Sequence, residues 1–162
     1  MKKKASAKKK TKVVAVSGGF DPVHIGHVRM FEAAKQLGDW LVVILNNDNW
    51  LKAKKGFVFM SEHERKEIIE AFECVDEVLI TKHGEVVEDM SVCDTLRALR
   101  PHVFANGGDR KPEGDPVPEV ELCQNLKIEM LYNVGAGGKV QSSSWLVDKS
   151  LEQKKSLSKK KK

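Results

Sequence analysis

Apolar positions along the chain fall into short continuous runs that alternate with stretches at helical spacing. Lys12 to Ser17 is a β-branched run ending at Gly18-Gly19, which predicts a buried strand closing in a turn. A helix is expected to open near His24 or Gly26, because Val28, Phe31, Ala34 and Leu37 recur every three or four residues, and Gly38 is expected to stop it. Trp40 to Leu45 has no polar alternation and reads as a second strand, buried on both faces. Asn46 to Met60 reads as a lysine-bearing loop. Ser61 with Glu64 three residues later is a capping-box signature ahead of a helix from Glu62 to Phe72. A strand from Glu77 to Thr81 follows, then a helix from Glu88 to Leu99 on the register Met90, Cys93, Leu96 and Leu99, which Pro101 ends. The remaining elements are a strand from His102 to Ala105, a Gly/Pro-rich loop from Asn106 to Pro118 and a helix from Glu119 to Leu126. A strand from Lys127 to Tyr132, a second Gly-rich loop and a final helix from about Ser143 complete the series.

Strands and helices that alternate with short connections specify an α/β domain, a doubly wound parallel sheet of Rossmann-like type with helices on both faces. In such sheets ligands sit beyond the carboxyl ends of the strands. Four loops lie there: Ser17 to Gly26, Asn46 to Met60, Ala105 to Pro118 and Val134 to Ser144.

Length sets one domain, residues 12–151, between a Lys-rich tail at 1–11 and another at 152–162. The net charge of +5 and pI near 9.1 suggest a polyanion partner until the charge is located. Residues 1–12 and 152–162 hold thirteen lysines and one glutamate, so the stretch between them carries −7. The domain is acidic, which disfavours nucleic acid as its partner. The tails read as disordered extensions, with weak docking to RNA or an anionic surface as the alternative. No run approaches the roughly 18 apolar residues of a membrane span, and the basic start lacks the apolar stretch of a secretory signal, so a cytoplasmic protein is expected. Cys74, Cys93 and Cys123 are far apart and show no C-x-x-C spacing, which argues against disulfides and zinc.

The first loop carries the chemistry: Gly18-Gly19-Phe20-Asp21-Pro22-Val23-His24-Ile25-Gly26-His27. Two histidines three apart at a helix mouth can face one side of the first turn, beside backbone N–H groups that favour anions. The dinucleotide glycine fingerprint and the P-loop are both missing, which disfavours a dinucleotide oxidoreductase.

This segment resembles the G-x-F-D-x-x-H-x-G-H signature of the cytidylyltransferase-like nucleotidyltransferases. The resemblance continues through Ala34 to Val43, Asp48, Lys52 to Gly56, Arg65, Val75 to Val78 and Gly107-Gly108-Asp109, and so covers about residues 12 to 148. It implies transfer of CMP or AMP from CTP or ATP to a small phosphorylated sugar, polyol or alcohol, with release of pyrophosphate. It also implies magnesium on the triphosphate and a homodimer.

By the resemblance His24 and His27 contact the triphosphate and stabilise the transition state. Lys55, helped by Lys52 and with Lys54 able to share the task, clamps phosphates, and Arg65 lies near the acceptor. Gly18, Gly19, Phe20, Asp21 and Gly26 form the nucleotide-binding signature, with Asp21 fixing the loop rather than acting as a base. Gly108 and Asp109 meet base and ribose, while Gln141, Ser142, Ser143 and Ser144 stand at the helix start that holds the β- and γ-phosphates. Lys52-x-x-Lys55-Gly56 and the run from Gly107 to Glu113 look more like heptose-phosphate adenylyltransferases. Gly38 to Val43 and Glu62 to Lys66 suit glycerol-phosphate and ethanolamine-phosphate cytidylyltransferases equally. A non-catalytic nucleotide-sensing or RNA-associated module that uses the tails is the alternative.

Overall fold

The computed structural model describes residues 10–107, 118–135 and 141–159. Five strands, β1 Val13–Gly18, β2 Trp40–Leu45, β3 Glu77–Ile80, β4 Val103–Gly107 and β5 Glu129–Val134, form one parallel sheet in the order β3-β2-β1-β4-β5. Helices α1 Ile25–Lys35 and α3 Glu62–Glu70 bury Phe31, Ala34 and Ile69 against one face, where Val14, Val16, Leu41 and Val43 complete the core. Helices α4 Cys93–Leu99 and α5 Glu119–Leu126 cover the other face with Leu96 and Cys123 over Ala15, Ile44 and Phe104. This is the expected doubly wound α/β architecture. The chain leaves β1 toward β2 and β3, then returns to place β4 on the opposite side of β1. The carboxyl ends of β1 and β4 therefore form the crevice where such folds hold ligands.

Three expectations change. The segment Asn46 to Met60 is not all loop: it contains α2, Asp48–Lys55, whose N-cap Asn47 accepts from the Trp50 amide at 3.0 Å and whose C-cap Gly56 is left-handed at φ 80°. Trp50 and Leu51 anchor it in the interior. The helix expected from Glu88 begins only at Cys93, because the Asp89 carboxylate accepts from both the amide and the hydroxyl of Ser91 and turns the chain there. Met90 is thereby left at the surface. The last helix, α6, spans Ser143–Lys159, so residues 152–159 are helical rather than a disordered tail. Their Glu, Gln, Lys and Leu are good helix formers that extend a helix already nucleated. The N-terminal tail, residues 1–9, lies outside the described residues. Among the described residues no helix is long and apolar enough to cross a membrane, and the three cysteines are free.

Gly38 does not cap α1, which ends on Gln36. Its role is close approach, since a Cβ there would lie 2.6 Å from the Lys12 carbonyl oxygen and 2.7 Å from Val14 Cγ2. Gly38→Ala must push β1 aside, and urea unfolding is expected to show a loss of about 1–3 kcal/mol with the fold retained.

Candidate active site

Helix α1 starts by an exchange between two imidazoles. His24 is the N-cap, and its Nδ1 accepts from the Gly26 amide at 3.1 Å, while Nδ1 of His27 accepts from the His24 amide at 3.3 Å. This is a capping box built from histidines, and it explains the H-x-G-H spacing: the partner of an N-cap stands three residues on. The rings stack with centroids 3.6 Å apart. Two imidazolium ions would repel at that distance, and both groups are in fact held below the usual histidine range. Burial lowers His24, and the Lys55 charge adds to it. Burial, then His24 and Lys55, push His27 down to about 3. With each Nδ1 an acceptor, the proton of each neutral ring sits on Nε2. The pair is therefore fixed in one tautomer, with two N–H donors on the edges away from the backbone.

Phe20 braces this arrangement. It is buried at φ 49° and meets the His27 ring edge-on at 4.9 Å and Phe31 at 5.1 Å. Its ring also explains Gly18, where a Cβ would lie 2.8 Å from it. At Gly19 a Cβ would lie 2.8 Å from Leu51 Cδ2, so both glycines admit close packing above the end of β1.

Asp21 is buried, and its carboxylate accepts from the Phe59 and Met60 amides, each at 2.8 Å. The carboxylate is thus committed to tying the signature loop to the chain after α2. The Asp21 carbonyl accepts from Lys55 Nζ at 3.1 Å, which brings that amine beside the histidine pair. Desolvation lowers the Lys55 pKa, partly offset by Asp21. Lys52 and Lys54 are exposed, and Lys54 Nζ sits 4.8 Å over the Trp50 ring. The last motif also arrives here, since Ser143 Oγ donates to the Pro22 carbonyl at 2.8 Å and so seats the start of α6 on the signature loop. The Ser142 amide donates to Gln141 Oε1, and Ser144 is exposed. Gly108 and Asp109 lie outside the described residues.

Arg65, expected near the acceptor, is fully buried: its guanidinium donates to the carbonyls of Gly19, Asn46 and Met60 at 2.6, 2.8 and 3.0 Å, and pairs with Asp48 at 2.6 Å. It is a positioning residue that ties β1, β2, α2 and α3 together. A long cation in a helix with an acidic first turn reads as surface from sequence; only the strand-end carbonyls converging above it make burial favourable. Sequence reasoning also passed over Asn47 and Thr81, which join β3 to α2 through the Asn47 amide and Thr81 Oγ1 at 3.0 Å. The Asn47 cap and the Gly56 stop were the available signals.

Two outcomes follow from this geometry. Between the unfolded value near 6.5 and about 3, unfolded protein takes up a proton that folded His27 refuses, so stability falls as pH drops through that window. Between pH 6.5 and 5 the His27 contribution is at most about 2 kcal/mol, and chemical denaturation of His27→Gln beside the parent should show that much less acid sensitivity. Arg65→Met leaves three carbonyls and Asp48 without their donor, and is expected to cost about 3–5 kcal/mol in the same measurement at neutral pH.

Comparison with known proteins agrees with these features. Residues 15–130 match the family described as cytidylyltransferase-like. The chain is 32% identical over 143 residues to the bifunctional protein HldE of Pelobacter propionicus, covering 87% of this chain and 27% of that one. It is 40% identical over 119 residues to the FAD synthase of Pyrococcus horikoshii, covering 73% of this chain and 77% of that one. The chain thus spans about a quarter of the HldE relative and most of the FAD synthase. The fold is shared with a lipopolysaccharide core biosynthesis protein from Thermoplasma volcanium, at a TM-score of 0.62 and 22% identity over 76% of this chain and 97% of that one. The signature loop, the histidine cap and these matches together place the chain in the cytidylyltransferase-like family of nucleotidyltransferases.

Proposed function

We propose that this chain transfers a nucleotidyl group, AMP or CMP, from a nucleoside triphosphate to a small acceptor bearing a phosphate on a sugar, polyol or alcohol. The likeness to FAD synthases, whose product is an adenine dinucleotide, favours AMP. The observation that carries the reading is the paired neutral imidazoles beside Lys55: two Nε2–H donors and an ammonium group at the carboxyl end of β1, with no free carboxylate from Asp21 to oppose them.

An acceptor phosphate oxygen attacks the α-phosphorus. One P–O bond forms there as the bond from the α-phosphorus to the oxygen bridging to the β-phosphorus breaks, and pyrophosphate leaves with that electron pair. The attacking oxygen is already an anion at neutral pH, so no general base is needed. The task left to the protein is to hold the reactants in line and to neutralise charge growing on the equatorial and leaving oxygens. Nε2–H of His24 and His27 and Nζ of Lys55 supply donors for it. Low histidine pKa values suit this role, because neutral Nε2–H groups donate to a polyphosphate without repelling each other or Lys55.

Magnesium belongs to the substrate here. Among the described residues no group of three or more His, Cys, Asp or Glu side chains is placed to hold a metal, and the triphosphate oxygens are the natural ligands.

The test is pyrophosphate release from ATP or CTP with magnesium and a panel of acceptors: glycerol 3-phosphate, sugar phosphates, phosphoethanolamine and FMN. Turnover with one pairing is expected, and His27→Ala should lower kcat about 100- to 1,000-fold while circular dichroism shows an intact fold. Unchanged turnover in that variant would refute the mechanism. No pyrophosphate from any pairing would return the site to a non-catalytic nucleotide binder.

A further inference from the structure

The transfer mechanism leaves the far half of α6 unused. Ser143 seats the start of this helix on the signature loop, and Leu146 and Val147 are still half-buried. From Asp148 to Ser156 every residue is exposed. Nine consecutive residues make about two and a half turns and present all sides of a helix, so this half stands off the domain instead of lying on it.

Charge separates along the same axis. Asp148 and Lys149 cancel within residues 13–151, so residues 13–147 carry the whole −7. From Gln153 to Lys162 there are Lys154, Lys155, Lys159, Lys160, Lys161 and Lys162 and no acid. At about 1.5 Å per residue, Lys154 lies about 9 Å and Lys159 about 16 Å further along the helix than Asp148, where the chain is already clear of the domain. Those spacings exceed the Debye length of about 8 Å at physiological ionic strength. The acidic domain therefore neither cancels these lysines nor repels an anion that meets them, and the helix acts as a spacer between the two.

The chemistry of this end selects a partner. A lipid surface takes a helix with an apolar face as well as basic groups. Leu151 is the one apolar residue from Asp148 to Ser156, so that stretch has no such face. An acidic protein surface offers separate carboxylates, and exposed ion pairs of that kind contribute little each. A nucleic-acid backbone offers closely spaced phosphates with condensed counterions, whose release favours binding by lysines on flexible stems without any fixed geometry. We infer that α6 is an arm that binds the phosphate backbone of a nucleic acid, without reading its bases, through Lys154, Lys155 and the run Lys159 to Lys162. Glu152, the one acid between Lys149 and Lys162, opposes that binding. The arm is separate from the histidine site, and its role does not depend on the transfer reading.

The test is fluorescence anisotropy of a labelled single-stranded RNA of about 20 nucleotides with the full chain. Binding is expected at about 50 mM salt, with a log–log slope against salt of up to about 4 in magnitude, because each of the six lysines releases about 0.7 counterion. The sixfold Lys→Gln variant at positions 154, 155 and 159–162 keeps good helix formers, so its circular dichroism should match the parent. It is expected to weaken binding at least tenfold and to flatten the salt slope, whereas Glu152→Gln should strengthen binding about twofold. Pyrophosphate release should be the same in all three proteins. Equal RNA binding by the parent and the sixfold variant overturns the inference and assigns the binding to the lysines of residues 1–12. Absence of binding, or binding indifferent to salt, overturns it as well. Sedimentation of the parent but not the variant with phosphatidylserine vesicles, without RNA binding, would give the arm to a lipid surface instead. A smaller gel-filtration mass for the variant than for the parent, without RNA binding, would give it to a second copy of the chain.

Discussion

Parallel strands end in carbonyl groups that the next strand does not meet, and at the carboxyl edge of this sheet the Arg65 guanidinium collects the carbonyls of Gly19 and Asn46 together with that of Met60. A buried cation is costly unless its donors are satisfied, and here Asp48 supplies the counter-charge at 2.6 Å. The result is a fixed point from which the end of β1, the end of β2, α2 and α3 take their relative positions. The Asp21 clamp on Phe59 and Met60 then closes the same loops from the other side, with hydrogen bonds to a carboxylate, which are among the stronger kinds. Neither residue need touch a substrate for the site to depend on it.

The histidine pair depends on that frame. Imidazoles stacked at 3.6 Å with an amine nearby are compatible only while the rings are neutral, and burial is what keeps them so. The backbone uses both Nδ1 atoms, so the orientation and the tautomer come from helix capping rather than from a second carboxylate. One structural device, the start of a helix, thereby orients two donors at no further cost in side-chain ordering. The acidic character of residues 13–151 makes the local excess of cation in α2 more effective, because anions are drawn to one place on an otherwise repelling surface.

The winding of the chain also decides what is left open. Two helices on one face and two on the other cover the sheet centre, but β3 is a four-residue edge strand whose outer face has no helix of its own. The chain between β3 and α4 is braced by His83 and Asp89 rather than by regular structure, and the room it encloses lies at the same end of the sheet as the histidines.

Much of this was legible in the sequence, for local reasons. The alternation of apolar runs with helical spacing specified the parallel α/β sheet, and α5 falls at its expected bounds because its pattern is unambiguous. The G-x-F-D-x-x-H-x-G-H run identified the family and the loop that carries the histidines. Within it even the cap is implicit, since a three-residue spacing at a helix start is a property of backbone geometry. The neutrality of His27, the burial of Arg65 and the cavity beside β3 were not legible. Each depends on groups distant in sequence: Lys55 beside His27, Gly19 and Asn46 above Arg65, and α4 across from β3. Charge state and burial are set by everything within a few ångströms of a group, whereas sequence pattern reports only on neighbours along the chain. The sequence by itself determined the alternation of strands and helices and which loop carries the chemistry, and the tertiary structure decided which of the polar side chains in those loops are spent on the protein and which remain for a ligand.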